Sequence, residues 1–261
     1  MQEIDKKIIL KTEGLSKHYG GVKALDNADF TLQNGEHIAI VGDNGAGKST
    51  FIRQITGVEI PTSGKIYFDG NLVNFKTPSD AKDAGIEAVY QNLALADDLD
   101  VPSNIFLGQE EIYFNLGPFS FLNDKKMFDK SIEVLSKTGI KIPDINIAMS
   151  NMSGGQRQCV AISRSAGFAS KLIIMDEPTA ALGVQETKQV ENIIKNLKDR
   201  GIPLIIISHN LRQVFDLVDK IWVFRQGKIV GAVDTATTNS NEVVSLITGV
   251  KQKVGEEASF I

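Results

Sequence analysis

Residues 42–50 read Gly42, Asp43, Asn44, Gly45, Ala46, Gly47, Lys48, Ser49, Thr50, directly behind the apolar run 38–41. The form Gly-x-x-x-x-Gly-Lys-Ser suits a loop whose successive backbone N–H groups converge on phosphate oxygens. Its glycines allow a tight turn and a close approach, Lys48 can reach the β- and γ-phosphates, and the Ser49 hydroxyl can join the shell of a Mg²⁺ ion. A helix is expected to follow through Gly57, its positive end turned to the phosphates. The chemistry implied is the binding of a nucleoside triphosphate.

Two further constellations narrow that chemistry. The apolar run 172–175 ends in Asp176 and Glu177. Beside a phosphate loop, Asp176 is placed to hold Mg²⁺ and Glu177 to orient an attacking water. Ser153, Gly154, Gly155 and Gln156 open the helical run 157–168 and make a second anion-binding helix end. One chain has no use for two γ-phosphate sites. A dimer does, if each copy offers this helix end to the nucleotide on the other.

The elements that must hold these residues follow from periodicity. Short strands are expected at 8–12, 28–32, 36–41 and 65–68, the last followed by a turn at Asp69-Gly70-Asn71, as an antiparallel sheet feeding the phosphate loop. Thr77, Pro78 and Asp80 predict a capped helix start, with Gly85 at its end and a strand 87–90 delivering Gln91. Residues 92–152 read as a helical insertion, in which Met127, Phe128, Ile132 and Leu135 share one face of a helix 124–138. Within it, 112–121 holds four aromatics and suits either a partner-docking surface or a self-packed loop. Runs 171–175 and 203–208 are expected as buried parallel strands, with helices carrying Val190, Ile193, Ile194, Leu197 and then Leu211, Val214, Phe215, Val218. A hairpin about Gln226-Gly227 closes the pattern, with Trp222 as a core filler.

Composition sets the outer limits. A chain of 261 residues is long enough for one domain with a subdomain. With 28 basic against 32 acidic residues and no basic block, nucleic acid is not the expected partner. The single cysteine, Cys159, excludes an internal disulfide and reads as a small core residue. No run approaches the ~20 apolar residues that span a bilayer, and the N-terminus has no signal-peptide core. The expected location is cytoplasmic.

Together these motifs resemble the ATP-binding subunits of ABC (ATP-binding cassette) transporters, over nearly the whole chain. Residues 42–49 match the Walker A motif, 152–156 (MSGGQ) the LSGGQ signature, and 172–177 Walker B with its catalytic glutamate. Gln91 falls on the Q-loop glutamine, His209 on the switch histidine and Tyr19 on the aromatic that stacks on adenine. The resemblance implies an α/β fold of the P-loop NTPase ABC cassette type, as a single domain 1–261. That fold has a RecA-like core, an N-terminal antiparallel β subdomain, a helical subdomain near 92–152 and a frayed tail at 251–261. It implies ATP and Mg²⁺ as cofactors, with Gln91 contacting Mg²⁺ and the water and His209 sensing the γ-phosphate. His18 and His37 are left as structural or surface residues.

Two departures from the family pattern stand out. Met152 replaces the leucine that opens the signature, a mild, volume-conserving change. Gly183 stands where most members carry the D-loop aspartate, which leaves the usual cross-dimer contact from this position open. The same Ala-Leu-Gly, with 21–25, 85–95 and 179–187, resembles the importers of ribose, xylose and fructose type. The C-terminal regulatory domain of oligosaccharide-importer ATPases is not expected, and a single cassette is expected to pair with a second copy of itself. The further partners implied are membrane permease subunits and, indirectly, a solute-binding protein, with the chain peripheral on the inner membrane face. The alternatives are an ATP-switched interaction protein, a non-transport ATPase of the family, or a transporter ATPase for another solute.

Overall fold

Strand β1 (Ile8–Tyr19) and strand β2 (Val22–Gln33) pair antiparallel around the Gly20-Gly21 turn. Both run well past the expected strands because the ladder absorbs irregularities, one of them beside Gly14 at a positive φ of 57°. The computed structural model describes residues 7–116, 119–140, 142–168, 171–180 and 182–250. The expected frayed tail 251–261 and most of the charged N-terminal segment lie outside the described residues.

The next elements are β3 (His37–Val41), α1 (Lys48–Ile55), β4 (Ser63–Phe68), β5 (Asn71–Val73), α2 (Pro78–Ala84) and β6 (Ile86–Val89). Then come α3 (Val101–Ile105), β7 (Ile112–Leu116), β8 (Phe119–Leu122), α4 (Asp124–Thr138) and α5 (Gly154–Phe168). The chain continues through β9 (Leu172–Asp176), α6 (Val184–Asp199), β10 (Leu204–Ile207), α7 (Leu211–Leu217), β11 (Lys220–Arg225), β12 (Lys228–Asp234) and α8 (Ser240–Thr248). These form a four-stranded antiparallel sheet, β2-β1-β4-β5, and a six-stranded sheet, β12-β11-β3-β10-β9-β6. In the second sheet β11, β3, β10 and β9 are parallel and β12 returns antiparallel on the edge.

The chain divides into two compact units. One holds the chain up to Ala88, Ser170–Glu177 and everything from Lys198 onward; the other holds Val89–Ala169 and Pro178–Leu197. In the first, β3 is buried at every position, as a run flanked by strands on both sides must be. Rings tie three elements together there: Phe30 of β2 meets Phe51 of α1 at 5.1 Å and Trp222 of β11 at 4.7 Å, and Phe51 meets Phe224 at 5.4 Å. Trp222 fills the core as expected, with its indole N–H buried. The capping box of α2 forms as read: Thr77 Oγ1 accepts from Asp80 N, Asp80 Oδ2 accepts from Thr77 N at 3.0 Å, and Gly85 closes the helix at φ 103°.

The second unit departs from expectation in two places. It is not wholly helical: β7 and β8 make an antiparallel hairpin, with Ile112, Tyr113, Phe114, Phe121 and Leu122 exposed. The buried stripe of α4 is also rotated. Met127, Ser131, Leu135 and Thr138 are inside, Phe128 is half-buried, and Ile132 is 49% exposed. The polar pair is tolerated inside because each hydroxyl is satisfied: Ser131 Oγ donates to Met127 O at 2.7 Å, and Thr138 Oγ1 meets Ser163 Oγ of α5 at 3.0 Å. Hydrophobicity alone aims the stripe one residue too far; the hydrogen-bonded contact with α5 corrects it.

Candidate functional site

In the parallel sheet, adjacent strands end side by side. Ile207 of β10 is in register with Ile40 of β3 on one side and Asp176 of β9 on the other. The residues that follow these strands therefore emerge at one carboxyl edge, where open α/β sheets bind ligands. They are the phosphate loop after β3, Glu177 after β9 and His209 after β10. Three separated segments of sequence become neighbours through strand order alone.

The phosphate loop is pinned from behind and open in front. Asp43, Asn44, Gly45 and Ser49 are exposed, while Ala46 and Gly47 are buried. A Cβ on Gly42, at φ 150°, would overlap the carbonyl of Phe224, and one on Gly47, at φ 101°, would come within 2.8 Å of the carbonyl of Ala24. Gly227 N donates to Ala46 O at 3.0 Å, so the β11–β12 turn latches the loop. Gly47 is the residue that turns the chain into α1, which starts at Lys48. The helix runs to Ile55, two residues short of the expected Gly57, which instead takes a positive φ of 71° after the Thr56 cap.

Lys48 donates to Gly42 O at 2.6 Å and to Asp43 O at 2.9 Å, which holds its ammonium at the mouth of the loop. Burial lowers its pKa, opposed by the nearby carboxylates of Glu177, Asp176 and Asp43. Burial likewise raises Asp176, and the charge of Glu177 raises it further, against Lys48 and Arg53. A half-buried carboxyl in that setting gains from an added cation. Among the described residues no group of three or more His, Cys, Asp or Glu makes a metal site by itself. A cation here would take ligands from Ser49, Asp176 and the phosphates, the arrangement Mg²⁺ favours.

Glu177 and His209 form a pair, with Nδ1 of His209 at 2.8 Å from Oε1 of Glu177. An ionised carboxylate only accepts, so the ring donates from Nδ1 and its Nε2 is left to act elsewhere. Glu177 sits at a positive φ of 51°, uncommon for a residue with a side chain, and its N–H donates to Ile207 O at 2.9 Å. Its side chain is mostly buried while that of His209 is 77% exposed. The arrangement can orient a water and take its proton on the Glu177 side and, with both ring nitrogens of His209 protonated, donate to an anion on the other.

Tyr19, at the end of β1, is 45% exposed. Its hydroxyl donates to Glu59, whose other oxygen takes Arg53 at 3.2 Å, and Lys17 Nζ lies 5.3 Å from the ring centroid. Burial of the hydroxyl, and then Glu59, raise the phenol's pKa. Nothing in the sequence pointed to Glu59 as a partner of Tyr19, because the two are 40 positions apart. His37 is structural: fully buried in β3, it contacts Ile202 O through Nε2 at 2.9 Å.

Gln91 and the signature belong to the second unit. Gln91 is exposed just beyond β6. Ser153 and Gln156 cap α5 reciprocally: Ser153 Oγ accepts from Gln156 N at 3.2 Å, and Gln156 Oε1 accepts from Ser153 N at 2.9 Å. Cys159 is a buried thiol, pushed up to about 11 by burial and by Glu186.

A family model described as ABC transporter matches residues 25–180. The chain is 42% identical over 252 residues to the xylose/arabinose import ATP-binding protein XylG of Sulfolobus acidocaldarius, covering 95% of this chain and 98% of that protein. It is 43% identical over 247 residues to the fructose import ATP-binding protein FrcA of Rhizobium meliloti, covering 94% and 95%. Against the ribose import ATP-binding protein RbsA 1 of Agrobacterium fabrum it is 39% identical, and spans 92% of itself but 46% of that protein. A nucleotide-free ATP-binding cassette from an ABC transporter superposes with a TM-score of 0.80 at 27% identity, over 96% of this chain and 100% of that one. No described helix is long and apolar enough to cross a membrane.

Proposed function

The chain belongs to the ABC transporter family as one of its ATP-hydrolysing subunits, and from that premise we propose that it powers uptake of a monosaccharide through separate membrane permease subunits. The observation that carries the substrate class is end-to-end similarity to import subunits whose names specify xylose, arabinose and fructose. We read residues 1–261 as a single cassette that works as a homodimer at the cytoplasmic face of the membrane, fed from outside by a solute-binding protein.

In this reading Tyr19 carries the adenine, and the N–H groups of residues 42–50, with Lys48, carry the phosphates. Ser49 and Asp176 would hold Mg²⁺, and the ion would supply charge neutralisation at the phosphates. Glu177 orients a water and accepts its proton as the water's oxygen bonds to the γ-phosphorus. The bond to the bridging oxygen breaks and ADP leaves. His209 donates to Glu177 from Nδ1 and, as the imidazolium, would donate from Nε2 to the γ-phosphate. Ser153, Gly154, Gly155 and Gln156 close over the nucleotide of the partner copy, so that hydrolysis requires two chains.

Uptake of a panel of labelled monosaccharides, with and without this subunit, tests the reading. Loss of uptake of at least one sugar is expected. If none depended on the subunit, the sugar assignment would be lost while the ATPase would stand.

A further inference from the structure

Glu186 lies in the first turn of α6 and is half-buried. A Cβ built on Gly155, in the first turn of α5, would overlap Glu186 Cγ and lie 2.7 Å from its Cβ. A Cβ built on Gly183, just before α6, would lie 2.6 Å from Glu186 Oε2. Neither glycine has a positive φ, so backbone strain does not require glycine at these two positions. The same neighbour stands against both positions: its stem excludes a side chain at Gly155, and its carboxylate end lies against Gly183.

We propose that Glu186 is a positioning residue that sets the place of the signature turn against the loop following Glu177, by occupying the space both glycines leave open. Its stem fills the gap over α5 and its carboxylate fills the gap at Gly183. The charge suits the position, because it stands by the positive N-terminal ends of two helices at once. Its reach toward Cys159, whose thiol it helps push up to about 11, places the same carboxylate along the start of α5. Gly183 thereby acquires a reason independent of any contact it makes itself: the carboxylate at this corner comes from three residues further along the chain. The inference rests on the reading that Ser153, Gly154, Gly155 and Gln156 meet the phosphates held by a partner copy.

A double-mutant cycle on the full chain tests it. Gly155→Ala is expected to lower kcat roughly ten- to a hundredfold through displacement of the turn. At protein concentrations where the chain is monomeric, a fluorescent ATP analogue is expected to bind still, because there the phosphate loop alone holds it. Glu186→Ala, by opening the space, is expected to return the double variant to the kcat of Glu186→Ala alone. The thermal midpoint, measured in parallel, is expected to show the same non-additivity and reads the contact without reference to ATP. A double variant no better than Gly155→Ala in kcat and midpoint overturns the proposal, as does a Gly155→Ala chain with unchanged kcat. A wild-type chain that stays monomeric with ATP would instead remove the shared-site reading, and the midpoint cycle would still decide the contact.

Discussion

The imidazole Nδ1 of His209 and the carboxylate Oε1 of Glu177 lie 2.8 Å apart, although 32 positions separate the residues. Glu177 directly follows the last residue of β9 and His209 lies two residues beyond the end of β10, and the two parallel strands pair in register. The pair couples the proposed base to the proposed γ-phosphate contact. Glu177→Gln is expected to retain ATP binding and the amide can still meet Nδ1, yet hydrolysis falls by about 10²–10⁴-fold because the amide cannot take a proton. Size-exclusion chromatography with ATP is expected to show an accumulated dimer. Hydrolysis at the wild-type rate would falsify the role given to Glu177.

Lys48→Ala removes the cation that Gly42 O and Asp43 O hold at the mouth of the phosphate loop. A charge-assisted bond to phosphate is worth roughly 2 kcal/mol, so ATP affinity is expected to fall about thirtyfold. Titration with a fluorescent nucleotide measures this directly. An unchanged affinity would place the phosphates away from Lys48.

Tyr19 separates binding of the base from binding of the phosphates. Tyr19→Ala is expected to weaken ATP by roughly tenfold, on the scale of a base–aromatic stack of ~1–3 kcal/mol, and to leave inorganic tripolyphosphate unaffected. Competition of the two ligands against a fluorescent nucleotide gives both numbers. Equal losses for both would mean that Tyr19 supports the loop and not the base.

His37 makes stability depend on pH. Burial, as the leading cause, lowers its pKa from 6.5 to about 4, so the folded chain resists a proton that the unfolded chain accepts. Stability from this group is complete above pH 6.5 and is lost as pH falls toward 4, by up to about 3 kcal/mol. Urea midpoints across that window should fall in wild type and flatten in His37→Gln. Parallel slopes for the two proteins would assign the acid loss to other groups.

The turned face of α4 is open to a direct check. Leu135 is 5% exposed, and Leu135→Ala is expected to cost about 2–5 kcal/mol, whereas Ile132→Ala should stay within about 0.5 kcal/mol. Thermal unfolding ranks them. Comparable losses would restore Ile132 to the buried stripe.

The phosphate loop, the strand that leads into it, the acidic strand end and the capped start of α5 were legible in the sequence because each is local. Their residues are contiguous and their chemistry is written in residue type and spacing. The capping box at Thr77 and Asp80 formed as read for the same reason. What required tertiary structure was every relation between distant segments. Strand order brought Glu177 to His209, and the carbonyls of Phe224 and Ala24 dictated which loop positions must lack a side chain. The contact with α5 turned α4 so that Ser131, and not Ile132, faces inward. Hydrophobic periodicity records how much a helix buries, but the hydrogen bonds and close approaches that choose the face belong to the neighbour. Glu186, three residues past Gly183 in sequence, is the same case: its meaning lies in the space above Gly155, which no pattern along the chain contains.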